Sequence, residues 1–159
     1  MKLYLKQKIF SIGDKFFVYD ANGEERYRVE GQLFSFGKKL HVYDCNEREV
    51  AFIRQKVMAF LPRYYIEKEG VEIAEVVKKF TFFYPKYEIN GLGWEIEGDF
   101  FDHDYEMVSG GQTVVTVSKQ WFTLGDAYEI DIAPGVDEVT ALAAVLVIDA
   151  CLDDQKSSD

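Results

Sequence analysis

The densest set of potential ligand groups is Asp99, Asp102, His103, Asp104 and Glu106. Carboxylates in a loop suit a calcium ion, which takes oxygen ligands in flexible geometry. The spacing is not that of an EF-hand, and on a strand Asp102 and Asp104 share one face while His103 points away. Asp99, Asp102, Asp104 and Glu106 are thus the metal candidates, with a solvated loop as the plain alternative. A second pair, His41 and Cys45, is four residues apart. On a strand that is about 13 Å, too far for one ion. Arg54 and Lys56 share a strand face, and Arg63 follows beyond the apolar stretch Met58-Ala59-Phe60-Leu61-Pro62. These three are the candidates for holding anionic lipid, at about 1 kcal/mol per basic residue. Lys38-Lys39 and Lys78-Lys79 read as solubilising ends of strands.

Catalytic signatures are missing. The chain holds no GxxxxGK[ST], GxGxxG, GxSxG, HExxH or CxxC, and its two histidines leave few options for a triad. No catalytic residue and no cofactor is assigned.

The elements that must position these residues announce themselves by repetition. Residues 10–25 (FSIGDKFFVYDANGEE) and 34–49 (FSFGKKLHVYDCNERE) are identical at nine of sixteen positions, at an offset of 24. A period of that size marks a repeated supersecondary unit. The unit reads strand, turn, strand: Phe16 to Asp20, the turn Ala21-Asn22-Gly23-Glu24, then Arg26 to Glu30. Asn-Gly supplies the positive φ angles of a hairpin. In the second copy Glu47 stands where the first has Gly23, and Asn46 is expected to take the left-handed conformation. Further hairpins are predicted around Glu69-Gly70, Gly91-Leu92-Gly93 and Gly110-Gly111, and Tyr128 to Ile132 is a last strand. Ten to twelve short strands at this spacing predict a closed or sandwiched all-β fold.

The period then changes. Val136 to Leu152 (VDEVTALAAVLVIDACL) reads as a helix preceded by Pro134-Gly135, with Asp137 and Glu138 in its first turn, where the dipole favours acids. Between Val139 and Ile148 it has no polar face. Such a helix is enclosed on every side or lies in a membrane. Its apolar run of eight residues, Ala141 to Ile148, is far short of the roughly 20 needed to span. Residues 153–159 read as a polar tail after a single domain, 1–152.

Composition closes off other classes. The 159 residues are 48% apolar and 16% aromatic, which excludes disorder. A net charge of −10 argues against a nucleic-acid backbone binder, so the 23 Tyr and Phe residues read as core rather than as stacking platforms. Two cysteines make no disulfide scaffold. With no signal-like or spanning segment, the cytoplasm is the expected location, with a peripheral place at a membrane as the alternative.

Several segments, in order along nearly the whole chain, resemble the LURP-one-related family. They are Tyr4-Leu5-Lys6-Gln7-Lys8, Gly13-Asp14-Lys15-Phe16-Phe17-Val18-Tyr19-Asp20, Gly98-Asp99-Phe100 before Tyr105, Val117-Ser118-Lys119-Gln120-Trp121, Asp126-Ala127-Tyr128-Glu129-Ile130 and a terminal helix closing at Asp149. The resemblance implies the fold of the tubby C-terminal superfamily, a closed antiparallel barrel of about twelve strands around a central helix. That superfamily also holds phosphoinositide-binding tubby-like proteins and calcium-requiring phospholipid scramblases, while the LURP-one-related branch is linked with plant defence. None of the quoted segments is catalytic. The functional expectation is a non-enzymatic binding or scaffold domain of unknown ligand, its partner an unidentified protein or an anionic lipid. The alternatives are a peripheral binder of anionic phospholipid and an enzyme with an unrecognised site.

Overall fold

The structure, a computed structural model, describes residues 1–6, 15–34, 37–57, 60–79, 86–99, 102–120 and 127–158. Twelve strands precede one helix: β1 (Lys2–Lys6), β2 (Lys15–Tyr19), β3 (Glu25–Phe34), β4 (Gly37–Asp44), β5 (Glu49–Gln55), β6 (Arg63–Lys68), β7 (Val71–Lys79), β8 (Lys86–Asn90), β9 (Trp94–Asp99), β10 (Asp104–Ser109), β11 (Gln112–Gln120), β12 (Ala127–Ile132) and α1 (Glu138–Ser158). Each strand pairs antiparallel with its neighbours in sequence, and β1 closes the circle against β12, from Lys2↔Asp131 to Lys6↔Ala127. Closure leaves no sheet edge exposed to another chain.

Alternation builds the wall. Ala51 and Ile53 of β5, Tyr64 and Ile66 of β6, Val115 and Val117 of β11, and Tyr128, Ile130 and Ile132 of β12 are buried at every second position. Strand side chains alternate between faces, so these rows point inward. They form a single core with α1, whose residues from Thr140 to Leu152 are all buried. Burial on every side is what an all-round apolar helix requires, and here the barrel supplies it. No helix is long and apolar enough to cross a membrane.

The helix begins two residues later than the sequence pattern suggests. Asp137 is its N-cap rather than part of the first turn: its Oδ2 accepts bonds from Thr140 N at 2.9 Å and Thr140 Oγ1 at 2.7 Å. Lys68 Nζ lies 2.8 Å from the same oxygen. Burial pushes the Asp137 carboxyl up, but Lys68 and Thr140 outweigh it and hold the group below its ordinary value. Glu138 accepts from Tyr27 Oη at 2.8 Å and from the Arg26 guanidinium. These contacts pin the start of α1 to one end of the barrel. At 1.5 Å per residue its 21 residues reach roughly 31 Å, through to the other end and beyond the expected stop at Leu152.

The repeated unit is two successive hairpins with the same turn. In the first, Asp20 Oδ1 accepts from Asn22 N at 2.8 Å and Glu24 N at 3.0 Å; in the second, Asp44 Oδ1 accepts from Asn46 N at 2.8 Å and Arg48 N at 3.1 Å. Both slip register at the matching place, between Val18 and Tyr19 and between Val42 and Tyr43. The residue in the left-handed region is Gly23 (φ 80°) and its counterpart Glu47 (φ 60°), not Asn46. The aspartate, by holding two backbone amides, imposes the conformation and leaves the strained position one residue later. Residues 10–14, 35 and 36 of the repeat lie outside the described residues.

Two variants test this framework. Leu146, fully buried on α1, is expected to be essential: Leu146→Asp should give no soluble protein with a cooperative melt. Glu69 and Gly70 both have positive φ, 50° and 81°, between the paired Lys68 and Val71. Asparagine suits that position better than glutamate, so Glu69→Asn should raise unfolding stability by about 0.5–1 kcal/mol in urea titration.

Candidate functional site

Antiparallel closure sorts the charges. The start of β4, end of β5, start of β6, end of β7 and start of β8 all meet at one end of the barrel, as the pairs Lys39↔Arg54, Arg63↔Val77 and Lys79↔Lys86 record. That rim carries Lys38, Lys39, Lys56, Lys78, Lys79 and Lys86, spread over five strands or about 20 Å. The side chains of Lys56, Lys78 and Lys86 make no ion pair among the described residues, whereas Lys79 Nζ is 3.2 Å from Glu88. The other rim carries the hairpin turns and the helix cap, with Asp20, Asp44, Glu69, Asp137 and Glu138. The pairs Lys38-Lys39 and Lys78-Lys79, which read separately as solubilising strand ends, therefore belong to one basic crescent.

Of the three basic candidates, the structure brings Lys56 and Arg63 together, with Lys56 N donating to Arg63 O at 2.8 Å. Arg54 is next along the face but is spoken for. Its guanidinium lies 4.3 Å from the Tyr65 ring centroid, 3.7 Å from Glu67 and 3.3 Å from Glu72. Arg63 Nε is 3.1 Å from Glu75. Both arginines thus face carboxylates, and Lys56 is the member of the trio turned to solvent. In the connection that follows, Val57 is 43% and Phe60 97% exposed. Pro62 O accepts from Lys78 N at 3.2 Å, which ties this connection to β7. Met58 and Ala59 of the apolar stretch lie outside the described residues.

The acidic candidates sit on the same rim, beside the β8 end of the crescent, on β9, β10 and the turn between. Asp99 pairs in register with Asp104, and Glu97 with Glu106. Asp99 Oδ1 accepts from Asp102 N at 3.3 Å, and Glu106 Oε2 from Thr113 Oγ1 at 3.2 Å. Among the described residues no three His, Cys, Asp or Glu side chains are arranged to hold a metal ion. His41 and Cys45 are not brought together either. His41 Nδ1 is 2.6 Å from Glu49 while Cys45 is exposed in a turn.

His103 does point away from Asp102 and Asp104, and it points into the barrel. Its backbone has φ 55°, and its Nε2 lies 3.2 Å from Oδ1 of Asp149, a buried carboxylate on α1. The imidazole stacks on Tyr128 at 4.6 Å between centroids, and Tyr128 donates its hydroxyl to Asp149 Oδ2. Gly98 makes room for this inward fold. With φ 111°, a Cβ there would come within 2.8 Å of Asp104 O and 2.9 Å of Tyr105 Cα. Tyr105 and Tyr128 are fully buried; burial first, and then the charge on Asp149, pushes both phenols well above their ordinary value. This cluster plugs the lysine-bearing end of the barrel over the second half of α1. Sequence reading missed it. The one signal was an acid, Asp149, directly after the apolar run of the helix.

A closed twelve-stranded antiparallel barrel, filled by its own C-terminal helix, is the class these features define. The chain belongs to the LURP-one-related family, whose model matches residues 1–149. That match ends at the buried carboxylate. The chain is 40% identical over 152 residues to the uncharacterized protein YxjI of Bacillus subtilis (strain 168), covering 96% of this chain and 94% of that one. Its fold is also that of a protein from Arabidopsis thaliana solved by X-ray crystallography. The TM-score is 0.63 and the identity 16%, over 98% of this chain and 91% of the other. Of the family-like segments, Gln7, Lys8, Gly13, Asp14, Phe100, Trp121 and Asp126 lie outside the described residues.

The buried phenols make a pH prediction. A tyrosine whose folded pKa is raised contributes stability that is complete below its ordinary value near 10 and is lost as pH climbs from there toward the folded value. Each such phenol adds up to about 1.4 kcal/mol of lost stability per pH unit. Urea unfolding of wild type should therefore weaken as pH rises above about 10. Tyr105→Phe and Tyr128→Phe should each show a shallower fall; parallel pH profiles for all three proteins would contradict the buried, neutral assignment.

Proposed function

We propose that the protein is a non-enzymatic binding module whose working surface is the lysine-bearing rim and whose ligand is anionic. The barrel interior is taken up by α1, so the recognition groups lie outside it. The observation that carries this reading is the convergence of six lysines from β4, β5, β7 and β8 on one rim. At about 1 kcal/mol per basic residue close to an anionic surface, the five other than Lys79, which faces Glu88, contribute at most roughly 5 kcal/mol. Millimolar affinity corresponds to about 4 kcal/mol. The trio Arg54, Lys56 and Arg63 alone falls short of that threshold, and the crescent passes it. Overall charge opposes docking less than the total of −10 suggests. From the cap at Asp137 to Asp149 beneath the plug is twelve residues of helix, roughly 18 Å, so charges on the far rim stand about two Debye lengths away at physiological salt.

Phospholipid head groups and soluble phosphate polymers share the required chemistry, and a protein partner with an acidic face is the scaffold form of the same reading. The test is retention on immobilised polyphosphate across a salt series. Wild type should bind at low salt and elute as salt rises. The triple variant Lys56→Gln, Lys78→Gln, Lys86→Gln should elute earlier, while Lys68→Gln on the opposite rim should elute with wild type. Equal elution of all three proteins would sink the assignment of the rim.

A further inference from the structure

We propose that the basic rim docks on a second copy of this chain, with Phe60 seated in an acidic hollow on the outer wall of that copy's barrel. This rests on the reading of the rim as an anion-docking surface and names the partner as the chain itself. The chain carries both halves of such a joint. The projecting half is Phe60, 97% exposed in the connection between β5 and β6, with Val57 beside it at 43%. A lone exposed apolar side chain is ordinary on a protein surface. This one stands within the crescent: Lys38 and Lys39 lie on the β4 side, Lys78, Lys79 and Lys86 on the β7 and β8 side, and Lys56 adjoins it.

The receiving half lies on the outside of β4, β5 and β6. Register sets His41 opposite Phe52 and Phe52 opposite Glu67, so the three form one row across the wall. The His41 and Phe52 rings meet at 4.8 Å between centroids and make an aromatic floor. Glu49, at the start of β5, and the Glu69-Gly70 turn line the hollow toward the other rim. Its volume is about 280 Å³. A cavity of about 150 Å³ takes benzene, so a phenyl ring fits. Glu49 and Glu67 each have one partner, His41 at 2.6 Å and Arg54 at 3.7 Å. Glu69 is exposed and makes no ion pair among the described residues. An aromatic ring among lysines thus meets an aromatic floor among glutamates, and each side supplies the charge the other lacks. The two halves are different surfaces of one molecule, so the contact is heterologous. Each copy that docks leaves its own hollow open to the next, which gives head-to-tail rows or rings rather than a twofold pair.

The experiment uses the full chain in sedimentation velocity over a rising concentration series, with immobilised polyphosphate as the separate probe of the rim. Wild type should gain mass with concentration, and soluble polyphosphate should reverse that gain by occupying the lysines. Phe60→Ser lacks the projecting half, and the double variant Glu49→Lys, Glu69→Lys lacks the receiving half. Both change exposed side chains, and thermal melts check that both fold. Each should associate about tenfold or more weakly than wild type. Phe60→Ser should still be retained on polyphosphate like wild type. An equimolar mixture of the two variants should form a particle of twice the chain's mass and stop there, because one intact half remains on each. Wild type that stays monomeric yet is retained on polyphosphate overturns the self-docking and leaves the rim reading standing. Undiminished association of Phe60→Ser, or a mixture that forms no pair, also overturns it. If wild type neither associates nor is retained at low salt, the rim reading falls with it.

Discussion

Everything in this structure depends on burying a helix that is apolar on every side. An amphipathic helix can rest on a sheet and show its other face to water; α1 cannot, because its residues from Ala141 to Ile148 offer no polar face. The chain meets that demand with a wall that turns through a full circle. Burying Leu142, Val145, Leu146 and Ile148 is worth a gross 6–12 kcal/mol or so, of the same order as the net stability of a whole domain. Barrel and helix are therefore one cooperative object. The wall closes around the helix, and the helix fills an interior that would otherwise be a void.

Closure has an electrostatic consequence. In an antiparallel circle, strand ends alternate between two rims, so residues near successive ends in sequence are sent to opposite ends of the barrel. Here the turns with Asp20, Asp44 and Glu69 go to one rim, together with the cap of α1. The lysines at the starts of β4 and β8 and the ends of β5 and β7 go to the other. A chain of net charge −10 thus presents a basic surface at one place. The helix cap explains part of the arrangement. An N-terminus favours the carboxylates of Asp137 and Glu138, and those in turn recruit Lys68 and Arg26.

The plugged end follows a similar logic. A carboxylate inside a barrel must find partners, and Asp149 finds Tyr128 and His103. Bringing His103 inward requires a turn with a left-handed residue and a glycine, Gly98, on the facing strand. The same fold of the chain leaves Asp102 and Asp104 outside, which is why the acidic run and its histidine serve different surroundings despite adjacency.

How much of this was legible can be judged residue by residue. The repeat at offset 24, the hairpin turns and the change of period at Pro134 are local patterns, and local patterns suffice for strand, turn, helix and the inference of an enclosing all-β wall. Even the misplacement of the left-handed residue at Asn46 was a local error; the side chain of Asp44, two residues earlier, decides it by bonding two amides. The basic surface was of another kind. Lys38, Lys56, Lys78 and Lys86 are separated by 8 to 22 residues, and no window of sequence contains them as a group. Arg54 and Arg63 read as free cations until strand register set Glu67, Glu72 and Glu75 beside them. Asp149 reads as the end of an apolar run until His103 and Tyr128 are brought to it. Sequence by itself determined the elements and the need to enclose the last one, because backbone preference and hydrophobic period act between near neighbours. Only the tertiary structure decided which charges stand together, because register and closure act between residues far apart in the chain.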